Sequence, residues 1–320
     1  VSAIRHPLPA AVPLAPAPPA AGDPVRAVVR TVAYAALFQA PLTRERLHRM
    51  LMDVRLDPRA LQETLADPWV RARVEVSGDL VYPRGRGDWV EARHVRRLET
   101  ERLLQRHRRA LALVVRCPFV RLAGLSGACA HDNATDGDVD LFLVTRRGRA
   151  WAVYLALIVA SRLLGVRRTL CINYLVDESE LALSEQDVFT ASELAGLRPL
   201  AGPEAYHRLV QANEWAGAWF PNFFHDRHAA DARGLPPAGG PRWLERLLDL
   251  GPAPLLQRLS RWVLGARLRR KARGAPGLAL AEGRLKLHLF DHRQRLLAAW
   301  RDAQGAAGLH EPPDEPERRA

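Results

Sequence analysis

Lysine is nearly missing from this chain. Lys271 and Lys286 are the two among 320 residues, so arginine supplies almost all of the 47 basic side chains that outweigh 35 acidic ones and give a formal charge of +12. Such a surplus would ordinarily point to an acidic partner such as nucleic acid, nucleotide or anionic lipid. One amino acid replacing another throughout is instead the mark of compositional bias, so the bulk charge selects no partner. Cysteine is also scarce. Cys117, Cys129 and Cys171 are odd in number, widely spaced and form no CxxC, which excludes a disulfide framework and a cysteine zinc site and fits a reducing, cytoplasmic compartment. Long apolar runs are lacking too. The most apolar stretch, Trp151 to Val166, is broken by Arg162 and falls short of the roughly 20 residues needed to cross a bilayer, so no membrane span is expected. It reads as a helix buried against a sheet. The start of the chain, residues 1–24, is rich in Pro and Ala, lacks a clear cleavage site and reads as a disordered leader.

What is present suits a globular α+β protein. At about 100 to 200 residues per domain the length holds roughly two domains. Val28, Val29, Val32, Leu37 and Phe38 recur at helical spacing and stop before Pro41. Thr43 caps a second helix, and Asp57-Pro58 opens a third, with Leu61 and Leu65 as its stripe. The period then changes to two: Val74, Val76, Leu80 and Val81 flank the turn Ser77-Gly78-Asp79. Three helices and a hairpin predict a winged helix over 25–88. The face of its third helix, with Arg59, Gln62, Glu63 and Thr64, carries little net charge, so DNA contact falls rather to Arg71, Arg73, Arg84 and Arg86 around the wing. Residues 89–115 read as one solvated basic amphipathic helix.

The segment from Leu122 to Thr145 carries chemistry. A strand enters the turn Ser126-Gly127-Ala128; a polar loop follows, and then Asp138-Val139-Asp140 leads into the apolar run Leu141 to Val144. On a strand, residues two apart share a face, so the Asp138 and Asp140 carboxylates stand side by side. Their repulsion is relieved by a cation, and magnesium suits two carboxylates completed by water and phosphate oxygens. The turn at Ser126 and Gly127 lets backbone amides approach a triphosphate. Asp136, two residues before Asp138, has two readings: a further ligand of the metal site, or, favoured by its place at the head of an Asp-Gly turn, a residue that shapes the loop.

These residues resemble the nucleotidyltransferase superfamily, with the DNA polymerase β-like fold, whose mark is a glycine turn followed by Asp-hydrophobic-Asp on the next strand. Tyr34, the run Pro41 to Thr43, the strand from Leu170 to Leu175, the run Arg198 to Leu200 and the run Ala212 to Trp215 are similar to an uncharacterised bacterial group of predicted nucleotidyltransferases. The resemblance implies a mixed sheet over 89–200, preceded by the winged helix and followed by a helical region over 201–310, with a disordered tail at 311–320. It implies magnesium, with two ions if the enzyme is active, held by Asp138 and Asp140 as catalytic residues. A nucleoside triphosphate is then the substrate on Ser126, Gly127 and Ala128, and a nucleoside monophosphate passes to an acceptor hydroxyl that the sequence does not identify. The chain departs from the family pattern twice. Ala128 stands at the usual serine, and the strand that should bring a third carboxylate offers the neutral Asn173, with Asp177 just beyond it. A catalytically weak nucleotide sensor with a DNA-binding winged helix is therefore the alternative.

Other motifs read more plainly. The run His225 to His228 is a solvated loop, because no cluster completes a metal site. Gly124-Leu125-Ser126-Gly127-Ala128 lacks the closing glycine of a hydrolase nucleophile elbow. The basic amphipathic stretch from Arg258 to Arg273 is suited to nucleic acid or an anionic membrane surface.

Overall fold

The computed structural model describes residues 22–135, 137–227, 231–271, 278–287 and 292–309. The leader up to residue 21, the tail from 310 and Asp136 lie outside the described residues. The chain is α+β and divides into two compact units, Val1–Val90 with Gln294–Ala320, and Glu91–Arg293.

Among the described residues the first helix is α1 (Pro24–Ala36). Asp23 accepts the Val25 amide at 2.7 Å, and Pro24 sits where a helix needs no amide donor. Strand β1 (Leu42–Thr43) leads into α2 (Arg44–Arg49), capped by the Thr43 hydroxyl on the Arg46 amide at 3.1 Å. Asp57 caps α3 (Pro58–Leu65), and Asp67 caps a short α4 (Pro68–Arg71) that periodicity had not marked. The hairpin of β2 (Val74–Ser77) and β3 (Leu80–Pro83) turns at Gly78-Asp79, with Ser77 opposite Leu80. The three strands lie in the order β1-β3-β2, antiparallel. Val28, Val32, Leu47, Leu61, Val70 and Val81 meet beneath them.

The second unit begins with two helices where one was expected. α5 (Asp88–Arg106) and α6 (Arg108–Val115) part at His107, whose torsions (φ −98°, ψ 11°) leave the helical region, and Leu111 and Val114 enter the core. A six-stranded sheet follows, built from β4 (Val120–Leu125), β5 (Val139–Thr145), β6 (Leu170–Asp177), β7 (Arg198–Ala201), β8 (Leu278–Leu280) and β9 (Arg284–Leu287), in the order β7-β4-β5-β6-β9-β8. The four-residue α7 (Gly127–Ala130) leaves β4. β4 and β5 are antiparallel, whereas β5 and β6 are parallel and joined by α8 (Ala150–Leu163), the apolar stretch, which packs Trp151, Tyr154 and Leu157 onto Val139, Leu141 and Leu143. Strand alternation therefore turns Asp140 and Phe142 to the opposite face, where Phe142 stacks on Tyr174 with centroids 5.3 Å apart. α9 (Val188–Gly196) precedes β7, and α10 (Pro203–Gln211), α11 (Arg242–Leu250) and α12 (Pro252–Lys271) follow it.

The expectation of a wholly helical region over 201–310 is corrected by β8 and β9. Leu278 and Leu280 face Leu287 and Leu285 across a tight turn, and Leu285 is fully buried beside Leu175 of β6. Each run is too short to make a helix, and the pairing is with a strand distant in sequence. The last helix, α13 (His292–Ala306), carries the chain back to the first unit. There Trp300 meets Tyr34 edge-on at 5.2 Å, the Arg26 guanidinium donates to the Leu309 carbonyl at 3.2 Å, and Leu309 is fully buried. No helix among the described residues is long and apolar enough to cross a membrane.

Candidate functional site

β4 ends where β5 begins, and one hydrogen bond ties the junction: the Ser126 amide donates to the Asp140 carbonyl at 2.9 Å. The chain then bends through Gly127 in the left-handed region, φ +59°. A β-carbon built on Gly127 would lie 2.5 Å from Asp140 Oδ2, so only glycine lets this turn pass so close to the carboxylate. Ser126, Gly127 and Asp140 are thus brought together. Ala128 is half-buried in α7, and its carbonyl accepts the Asn133 and His131 amides at 2.9 and 3.1 Å, which folds the polar loop back over the turn. Asp138 lies just before β5, with its carbonyl accepting a hydrogen bond from the Cys129 thiol at 3.2 Å.

Cys171 stands opposite Asp140 on the parallel neighbour β6. Burial first, then the charges of Asp138 and Asp140 and a hydrogen bond with Asp138, push its thiol up to about 11. It stays a neutral thiol at physiological pH, which argues against thiolate nucleophile chemistry.

Sequence reasoning missed Glu193. It projects from α9, accepts the Gly127 amide and lies near Asp140; burial first, and then the Asp140 charge, push its carboxyl up to about 7 against the lowering effect of the Gly127 bond. The available signal was an acid embedded in the apolar run Val188 to Gly196, without any indication of where that helix packs.

The two candidate third-ligand positions fare differently. Asn173 is the extra residue of a β-bulge: Leu141 pairs with Ile172 and Phe142 with Tyr174, which leaves Asn173 without a partner position on β5. Asp177 lies at the far end of β6 beside Thr145, about 20 Å along the strand from Cys171. It is spent on structure, accepting from the Gly148 amide at 2.8 Å and the Ser179 amide and hydroxyl at 2.9 and 2.6 Å. The structure does not bring it to the pair of aspartates.

The helix read as solvated grips the loop between turn and strand. Arg93 is buried; it donates to the Asp132 carbonyl and pairs with the Asp132 carboxylate at 3.8 Å, while Arg198 of β7 reaches the same carboxylate at 3.3 Å. Arg96 donates to the Asn133 side chain at 3.2 Å, and the Thr100 hydroxyl accepts the Ala134 amide at 3.1 Å. Asp132 itself is left-handed, φ +48°, so the loop is fixed by α5 rather than by its own torsional preference.

Among the described residues no group of three or more His, Cys, Asp or Glu is disposed to hold a metal ion. His225 belongs to a π-helical turn, Phe223–Arg227, and His228 lies outside the described residues. The chain matches no protein-family model, no curated protein and no solved structure.

Proposed function

We propose that the second unit is a magnesium-dependent nucleotidyltransferase that moves a nucleoside monophosphate from a nucleoside triphosphate to an acceptor hydroxyl. The observation that carries this reading is the packing of the Asp140 carboxylate against the left-handed turn at Gly127. It joins an oxygen donor for a hard cation to a backbone that polyphosphate can approach. The two aspartates offer hard oxygen donors, which fit magnesium. Asp138 and Asp140 would hold the ion, with water and phosphate oxygens as the other ligands, and its charge would offset that of the triphosphate and of the departing pyrophosphate.

The chain's own groups have separate tasks. Arg198, at the start of β7, adds positive charge beside the polar loop. Glu193 lies beside the Gly127 turn and near Asp140. The acceptor hydroxyl attacks the α-phosphorus in line and gives its proton to solvent, its new P–O bond replacing the one to pyrophosphate. The first unit reads as a winged helix, because helix, strand, three helices, the last of a single turn, and a hairpin occur in that order around one small sheet. Its third helix is a weak DNA reader, since Arg59 pairs with Glu63 at 3.1 Å on the exposed face. On the wing, Arg84 donates to the Arg71 carbonyl at 2.7 Å.

The test is incubation with each labelled triphosphate and magnesium, comparing wild type with the double variant Asp138→Ala, Asp140→Ala. Pyrophosphate release that the double variant lacks supports the transferase. Nucleotide binding without release, together with salt-sensitive duplex binding, identifies the sensor instead.

A further inference from the structure

Two consecutive helices of the second unit turn acids or polar groups inward and an apolar stripe outward, although Leu248, Leu264 and Leu268 still pack against the core. In α11 the acids turn inward: Glu245, only 4% exposed, accepts the Phe119 amide at 2.6 Å and pairs with Arg121 at 2.6 Å. Asp249 pairs with Arg149 at 2.7 Å and also with Arg146. The apolar residues at positions i, i+4 and i+7 turn outward, leaving Trp243 67%, Leu247 60% and Leu250 89% exposed. α12 repeats the inversion. Its first three inward turns are small or polar, with Ala253, Gln257 and Ser260, before Leu264 and Leu268 pack half-buried against the core, and Gln257 accepts the Ala152 amide at 3.0 Å. Its outward stripe, again at i, i+4 and i+7, is Leu255, Leu259 and Trp262, exposed by 68, 49 and 74%. Scattered surface apolar residues mean little, but two such stripes on neighbouring helices that pack against each other mark an interaction surface.

Charge selects the occupant. α12 has no acidic residue, and Arg258, Arg267 and Arg270 are exposed on it, as is Arg261, which pairs with Glu282 at 2.8 Å, whereas both acids of α11 are consumed by internal ion pairs. A second copy docked by this face would set arginine against arginine. An anionic bilayer satisfies both components, with arginines at the headgroups and tryptophan and leucine at the acyl boundary. We propose that α11 and α12 dock this protein on an anionic lipid surface, lying in the interface without crossing it.

The full chain is mixed with vesicles of phosphatidylcholine alone and of phosphatidylcholine with phosphatidylglycerol, and binding is read by co-sedimentation and tryptophan emission. Expected are salt-sensitive binding to the anionic vesicles, a blue shift, and much weaker binding to the neutral ones. The triple variant Trp243→Gln, Leu250→Gln, Trp262→Gln changes only exposed positions; it keeps the wild-type melting temperature and loses affinity about tenfold or more. Arg258→Gln and Arg270→Gln each lower affinity by about fivefold at low salt. Equal binding to both vesicles, no binding to either, or a concentration-dependent dimer that the triple variant abolishes would each overturn the proposal. Pyrophosphate release is measured without lipid, so failure here leaves the transferase reading untouched.

Discussion

Two constraints meet at Gly127: a left-handed φ and the Asp140 carboxylate against its α-carbon. Gly137, with φ +74° and open space around it, bears the first constraint alone. Alanine at either position carries the left-handed penalty of about 1–2 kcal/mol. At Gly127 the added methyl must also displace Asp140, so Gly127→Ala is expected to abolish carboxylate-dependent pyrophosphate release while Gly137→Ala retains most of it. Denaturant midpoints and the release assay on both variants check this. Glu193 gives a pH signature. Its folded carboxyl titrates at about 7, above the ordinary value, so the fold binds the proton more tightly than the unfolded chain does. The stability this lends is complete below the unfolded pKa of about 4.5 and is lost as pH rises through 7, up to about 3 kcal/mol. Glu193→Gln, which stays neutral, should match wild type near pH 4 and exceed it near pH 8 in chemical denaturation. Equal pH profiles for the two proteins would refute the assignment. The turn at Ser126 and Gly127 and the pair Asp138 and Asp140 were legible in sequence because each is a local pattern. Glu193 was not, because what makes it special is the turn it packs against.

Elements show the same division between local and distant information. Caps and periodicity located α1, α2, α3 and the β2–β3 hairpin, since Thr43 and Asp57 announce their helices and a period of two announces a strand. The β8–β9 hairpin stayed hidden because its short runs acquire meaning only by pairing with β6. The inward face of α5 was masked by its many arginines, which in isolation look like a solvated surface. Thr100 tests the role of that helix. Its hydroxyl donates to the Arg96 carbonyl at 2.8 Å and accepts the buried Ala134 amide at 3.1 Å. Thr100→Val keeps the shape and removes the acceptor, leaving that amide unpaired at a cost of about 1–3 kcal/mol. Amide exchange should quicken in the loop at residues 133–135 while the amides of Leu141 and Leu143 in β5 keep their protection. Unchanged exchange in the loop would mean that α5 does not hold it.

Across the whole molecule, a formal charge of +12 misdescribes how the arginines are used. Arg26 and Arg30 are buried in the first unit and Arg93 in the second, and Arg121, Arg146 and Arg149 close ion pairs with Glu245 and Asp249. These six arginines are buried or paired with acids of the protein, while Arg258, Arg267 and Arg270 on α12 are among those left exposed. The same scale explains why chain order did not reveal the domain limits. The residues after Gln294 complete the first unit, so its core has two sequence-distant halves that no scan along the chain would join. Trp300 is the hinge of that argument. It is 3% exposed, packs edge-on against Tyr34 at 5.2 Å and lies under the Arg30 guanidinium at 5.6 Å. Trp300→Ala removes a large buried ring and should cost about 3–5 kcal/mol. The cores of the two units form separate clusters, so the loss should be read by the amides of Val28, Val32 and Val81, while Leu141 and Leu143 exchange as in wild type. If Trp300→Ala leaves the first group's protection intact, the carboxy-terminal helix does not belong to the first unit's core.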